Sequence, residues 1–282
     1  MTLNHRTAPA AASALVLLCC TANAQATPST QIWIPSTDIQ KFATVHLNFD
    51  SFLRIDQEDN GGRLPPTVML GPTVGVLPWE KVQAEVGLDW MVQGSAILDR
   101  YPFYFHGKLG TPEDSMFKWS PAIAAGMYNI GYKPKLTTQD IAYGLVARTF
   151  PYVGRLSAGY YFGNDAILVD AKGNRANHGI LASWDRTMKE LSDKLWLAVD
   201  YQGGNSSLGT LNFGGSWNFA ENVSVLVGYD LYLNRVVAGK DTVTVQVDIN
   251  IRRGRRWSPD SASVPLDLDV FLMPRAAVLI IS

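Results

Sequence analysis

LWLAVDYQ (Leu195–Gln202), TLNFGGSWNF (Thr210–Phe219), VSVLVGYDLYL (Val223–Leu233) and TVTVQVDINI (Thr242–Ile251) follow one another with only short breaks between them. Each alternates apolar and polar residues. The last sets Val243, Val245, Val247, Ile249 and Ile251 on one face, and Thr244, Gln246, Asp248 and Asn250 on the other. Side chains alternate sides along a strand, so this period of two predicts strands with one apolar and one polar face. Each unit is about ten residues long, enough to cross a bilayer when tilted. The breaks GGNSSLG, AEN and NRVVAGKD carry the Gly, Asn and Asp that turns favour. The stretch predicts consecutive membrane-spanning hairpins, with Thr244 and its neighbours facing a solvated interior.

Upstream, the same pattern recurs. Val45, Leu47 and Phe49 oppose His46, Asn48 and Asp50; TVMLGPTVGVL (67–77) follows; then Val82, Ala84, Val86, Leu88 and Trp90 oppose Gln83, Glu85 and Asp89. PFYFHGKL (102–109), residues 121–132, DIAYGLVART (140–149), GRLSAGYYFG (154–163) and HGILASWDR (178–186) complete eight further candidates. In the span 121–132, Tyr128, Ile130 and Tyr132 form the expected apolar face. The sum predicts an all-β protein: a transmembrane antiparallel up-and-down β-barrel of about 12 strands, with 10 and 14 as alternatives. If the first strand runs outward, the inner turns at 78–80, 150–153 and 220–222 are short, and the longer loops fall outside, as in bacterial barrels. The long inner connections 111–120 and 187–194 are where a further strand could lie hidden.

Composition bounds the function. Of 282 residues, 47% are hydrophobic and 11% aromatic, with a formal net charge of -1, which gives nucleic acid no basic surface to bind. No apolar run approaches the roughly 20 residues of a transmembrane helix. A secreted soluble β-sandwich fits the averages equally well; strand length and face polarity favour the barrel.

Residues 1–26 have the parts of a secretory signal peptide: Arg6, an apolar run from Ala8 to Cys20, and small-residue cleavage sites after Ala24 or Ala26. Leu18 before Cys19 argues against a lipoprotein signal. Both cysteines, Cys19 and Cys20, lie in this leader, so an exported chain has neither disulfide nor cysteine nucleophile. Residues 27–43, with Pro35 and little alternation, are expected to be a periplasmic lead-in or a plug folded up into the barrel. Residues 44–251 are the barrel, and 252–282 a C-terminal extension expected to be disordered.

QIWIPSTDIQKFATVHLNF (31–49), together with WLAVDYQGGNSSLGTLNFGGSWNFAENVSVLVGYDLYLN (196–234), resembles uncharacterised porin-like outer-membrane β-barrel proteins of Gram-negative bacteria. The resemblance implies an outer-membrane location and no particular substrate. The extension beyond Ile251 departs from that pattern, since such chains usually end on their last strand.

Chemistry-bearing motifs are few. No mature histidine stands in a His-x-Ser pair, although a serine, histidine and acid brought together across strands, such as His46, Ser157 and Asp50, would not show in sequence. Asp56–Gly61 resembles half a calcium loop, but Thr67 occupies the twelfth position where a bidentate Glu is needed, so no metal is expected. Strand parity instead assigns candidate pore-lining charges: Asp50, Glu85, Asp89, Asp185, Asp200, Asp230 and Asp248 as inward acids, and Lys108, Arg148 and Arg155 as inward bases, with His46 beside them. Acids on one wall and bases on the opposite one would favour cations modestly. Inward glycines, among them Gly71, Gly87, Gly144, Gly159 and Gly228, would leave space. The expectation is a narrow passive channel for small solutes or ions, with no cofactor and no enzymatic activity. The alternatives are a closed structural or ligand-binding barrel and a barrel hydrolase. Expected partners are the lipid bilayer, lipopolysaccharide, the barrel-assembly machinery and small solutes or ions, with a monomer favoured.

Overall fold

In the computed structural model, residues 29–59 and 61–252 are described; the leader and the extension beyond Arg252 lie outside them. The strands are β1 (Thr44–Arg54), β2 (Thr67–Gly75), β3 (Gln83–Val92), β4 (Phe103–Thr111), β5 (Ala122–Ile130), β6 (Ile141–Phe150), β7 (Gly154–Phe162), β8 (His178–Thr187), β9 (Leu195–Gln202), β10 (Thr210–Ala220), β11 (Val223–Tyr232) and β12 (Thr242–Arg252). Each pairs antiparallel with its sequence neighbours. β1 lies against β12 along its full length, Thr44 opposite Arg252 and Arg54 opposite Thr242, which closes the barrel. Closure leaves no strand edge unpaired, the one way a sheet can stand in hydrocarbon.

The outer face explains why closure is stable in lipid. Phe49, Leu70, Val86, Phe105, Leu109, Val146, Leu156, Ile180, Phe213 and Val227 all point outward and are exposed. An exposed apolar band of this extent is far larger than a soluble surface tolerates. At the short-turn end it is flanked by Trp79, Trp119, Phe150, Tyr152, Trp217 and Phe219, and at the long-loop end by Trp90, Phe103, Tyr132 and Phe162. These are the two aromatic girdles of a membrane-spanning barrel. No described helix is long and apolar enough to cross a membrane.

Three local features depart from the sequence expectation. In β5 the apolar face is split: Tyr128 points inward and hydrogen-bonds Gln202, while Ile130 sits opposite the exposed Phe105. Asn129 between them has φ 51°, and the β4–β5 register shifts there, so the side-chain alternation is broken by a bulge. In β2, Pro72 has no N–H to give, and the ladder to β3 lapses between Leu70/Trp90 and Thr73/Gly87. The connections 112–121 and 188–194 contain no strand.

Candidate functional site

The site begins with residues 29–40, which lie inside the barrel; Lys41 and Phe42 are exposed and lead into β1. The inserted residues form a tight hairpin: Thr30 bridges Pro35, Gln31 N donates to Ile34 O at 2.7 Å, and Ser36 N to Ser29 O at 3.2 Å. At its tip three successive backbone N–H groups, of Ile32, Trp33 and Ile34, converge on Asp200 Oδ2 at 2.8, 2.8 and 3.3 Å, and Asn212 Nδ2 donates to the other carboxylate oxygen. Consecutive amides form a concavity that holds an anion. Here the anion is supplied by β9. Gln246 Nε2 from β12 caps Ile32 O at 2.7 Å.

Below the tip the segment is tied by charge. Arg155 of β7 grips the Asp38 carboxylate with two bonds of 2.7 Å and reaches Asp185 of β8 at 2.9 Å through Nε. Gln31 Nε2 and Trp196 Nε1 also donate to Asp185, at 2.9 and 3.2 Å. Lys108 of β4 pairs with Glu85 of β3 at 3.2 Å and donates to the carbonyls of Ser29, Ser36 and Asp38. Glu85 in turn accepts from Gln40 N at 2.7 Å. Buried ionic groups must be paired and hydrogen-bonded, and these are.

The segment fills one half of the lumen at the level of Ile32 and Ile34, while toward the short-turn end a cavity of about 470 Å³ remains beside Asp38, Arg155, Asp185 and Trp196. Ile34 packs into a cluster with Ile141, Tyr143, Leu145, Tyr161, Leu168, Leu181 and Leu208, while Ile32 packs against Ala198 and Leu226. The other half, along β1 to β4, keeps a cavity of about 370 Å³. It extends from Glu85, Lys108 and Asp248 to the loop end, where Val237 and Ala238 of the turn between β11 and β12 overhang it. Arg54 holds that turn by donating to Ala238 O at 2.7 Å and to Lys240 O, with its guanidinium 5.1 Å above the Tyr232 ring.

Two imidazoles order the polar wall of this cavity. His46 Nδ1 lies 2.9 Å from Asn250 Oδ1, and its Nε2 3.3 Å from Asp248 Oδ1. His106 stands between Asp89 Oδ2, 2.9 Å from Nδ1, and Thr73 Oγ1, 2.8 Å from Nε2. Gly87 makes room for the second ring, since a Cβ there would fall 2.1 Å from His106 Nε2.

With a bilayer-facing apolar band, a polar lumen and a segment folded into it, the architecture is decided. The fold is that of a porin-like barrel. No family model and no curated protein matches the sequence. Among solved structures, the chain is similar to an outer membrane channel from Pseudomonas putida F1 at TM-score 0.45 and 10% identity, covering 76% of this chain and 97% of that one. It is similar to the NanC porin at 0.43 and 7%, covering 73% and 100%, and to OmpF of Salmonella typhi at 0.40 and 8%, covering 74% and 96%. The strand pairing, rather than these scores, carries the fold of this porin-like barrel.

Of the charges assigned inward, His46, Asp50, Glu85, Asp89, Lys108 and Asp248 line the cavity. Asp185, Asp200 and Arg155 serve the inserted segment, and Asp230 is wholly buried, accepting from Thr242 Oγ1 at 2.7 Å. Arg148 is a correction. It falls on the outward side of β6, opposite Leu156, where it meets Asp114 Oδ1 at 2.8 Å and lies 4.8 Å from the Trp119 ring. Gly144 is likewise outward. The opposed walls are also corrected: Lys108 pairs with Glu85 on the adjacent strand and Arg155 with Asp185 on its own neighbour, so bases sit beside acids. Parity could have added His106, which shares a face with Lys108, and Arg54, which shares one with Asp50. The plug alternative for residues 27–43 covers Trp33 and Asp38 as part of the segment, but nothing in the sequence marked either one individually as a lumen residue.

Proposed function

We propose that the chain is an outer-membrane channel whose narrow path runs along β1 to β4, beside residues 29–42, and passes small solutes or ions with a mild preference for cations. The carrying observation is the charge of that path. Its acids are Asp50, Glu85, Asp89 and Asp248, while Lys108 is held by Glu85 and three carbonyls and Arg54 is turned to the loop carbonyls. A low-dielectric wall strengthens the field of the acids left over, which draws cations. The inserted segment acts as a fixed constriction. Planar-bilayer recordings of the purified protein test this: a salt gradient should give a reversal potential displaced toward the cation equilibrium potential. Anion selectivity, or no conductance, rejects it.

A second reading, a barrel hydrolase, is favoured by one observation: Thr73, His106 and Asp89 form a hydroxyl–imidazole–carboxylate string with the spacing of a nucleophile, base and orienting acid. Hydrolysis of short p-nitrophenyl esters that is lost in Thr73→Val would support it. Equal rates for the two proteins remove it.

A further inference from the structure

The cavity beside β1 to β4 has two zones at different heights. Toward the short-turn end lie carboxylates and imidazoles; toward the loop end lie Phe52, Met69, Met91 and Tyr104, one from each of the four strands. Met69 of β2 stands directly opposite Asp50 of β1 and Met91 of β3, and Asp89 stands opposite Tyr104, so the two zones meet at the level of Asp50. Trp33 of the inserted segment closes the apolar zone from the other side, edge-on to Phe52 at 5.2 Å and to Tyr232 at 5.7 Å.

The carboxylates of the cavity differ in what they face. Glu85 is matched by Lys108, Asp248 faces His46, and Asp89 faces His106. Asp50 is different: the hydrogen bond it receives comes from the neutral amide of Asn48, at 2.9 Å, and among the described residues no lysine or arginine forms an ion pair with it. A carboxylate held in a partly buried wall gains most from a cation that can lose its own water there. A small inorganic ion has no apolar body to bury against thioethers and aromatic rings. A cation carrying an apolar body gains from both zones at once, through the charge at Asp50, dispersion against Met69 and Met91, and ring contacts with Phe52 and Tyr104. The cavity, at about 370 Å³, is within the size range of small-molecule sites.

We infer that this cavity is a binding site for organic monocations with an apolar or aromatic body, the ammonium group docking on Asp50 and the body on the Met69–Met91 wall. The inference rests on the cation-preferring reading of the same cavity and names its substrate class. It requires recognition of the ligand as well as a field that attracts its charge.

Calorimetric titration of the purified full chain in detergent micelles tests it, with 2-phenylethylammonium as the probe, 2-phenylethanol as its neutral analogue and 3-phenylpropionate as an anionic one. The expected result is saturable binding of the ammonium ion, at least about tenfold tighter than the alcohol, with no binding of the anion. Asp50→Asn should remove that preference, and Met91→Ala should weaken the ammonium ion while leaving methylammonium unchanged. Heat-modifiable mobility shows that each variant is folded, and Met91→Ala supplies the test if Asp50→Asn does not assemble. Equal affinity for the ammonium ion and the alcohol, no saturable binding, or unaltered binding in both variants overturns the inference. Calorimetry reads occupancy without transport. Conductance with no binding therefore sinks this inference alone, and binding with silent bilayers sinks the channel reading.

Discussion

The two halves of the lumen are built from the same kind of strand and do opposite things. Along β6 to β9 the inward apolar side chains Ile141, Tyr143, Leu145, Tyr161, Leu181 and Ala198 close on Ile32 and Ile34 as the core of a soluble protein would, while Arg155, Asp185 and Asp200 tie the same segment down. Along β1 to β4 they are His46, Asn48, Asp50, Thr73, Glu85, Asp89, His106 and Lys108, with Phe52, Met69, Met91 and Tyr104 toward the loop end, and space remains between them. The apolar cluster of the first half is covered against water by Ile32 and Ile34; the mainly polar wall of the second needs no such cover. The difference teaches that facing the lumen does not by itself mean facing solvent.

The largest expected effect breaks the filled half. Asp200→Leu leaves the amides of Ile32, Trp33 and Ile34 without their acceptor, and each unmatched buried donor costs about 1–3 kcal/mol. Proteolysis of the folded barrel should then cut within 29–40, which the parent protein resists, and any conductance should rise. Next, Leu181→Ala removes a wholly buried side chain from the cluster around Ile34 and should lower stability by about 2–5 kcal/mol, read from denaturant unfolding in micelles.

A smaller pair of changes sharpens the contrast between outside and inside. Val227→Arg places a cation on the lipid face at mid-strand, at a cost of roughly 2–4 kcal/mol, whereas Met69→Arg enters the open cavity beside Asp50 and should cost much less. Thr244 would be a poor inward partner for this comparison. Contrary to the solvated interior expected of it, it is fully buried and receives a hydrogen bond from Gln246 Nε2.

The least effect belongs to the loops. Lys240 Nζ meets Asp59 Oδ1 at 2.8 Å, and this bond holds the Asp59 carboxyl below its ordinary range. A depressed carboxyl stabilises the fold above its unfolded pKa, and that contribution is lost as pH falls through the folded one. The pair is exposed, so solvent and salt screen it, and Lys240→Ala should leave the unfolding midpoint unchanged at neutral pH.

The barrel itself was legible because lipid imposes period two with little ambiguity where the inward face is polar, as in β12 and β1. It was less legible where the inward face is apolar. In β6 both faces are apolar, since one meets lipid and the other meets Ile34, so no polar face fixes the parity, and the parity that puts Arg148 in the lumen is the wrong one: it belongs to the outer rim. In β5 the left-handed Asn129 resets the alternation, a backbone event that no side-chain pattern announces. Residues 29–42 carry no period at all, because their partners are single side chains such as Asp200 and Arg155, spread over distant strands.

The division of the lumen can be measured directly by cysteine accessibility, since residues 21–282 contain no cysteine of their own. Met69→Cys and Leu145→Cys, each in the protein reconstituted in a bilayer, would be exposed to a positively charged methanethiosulfonate reagent while current is recorded. The structure predicts that Cys at 69 reacts quickly and lowers the current, and that Cys at 145, buried against Ile34, is protected and leaves it unchanged. Equal reactivity at the two positions, or modification at 145 with protection at 69, would contradict the assignment of an open half and a filled half.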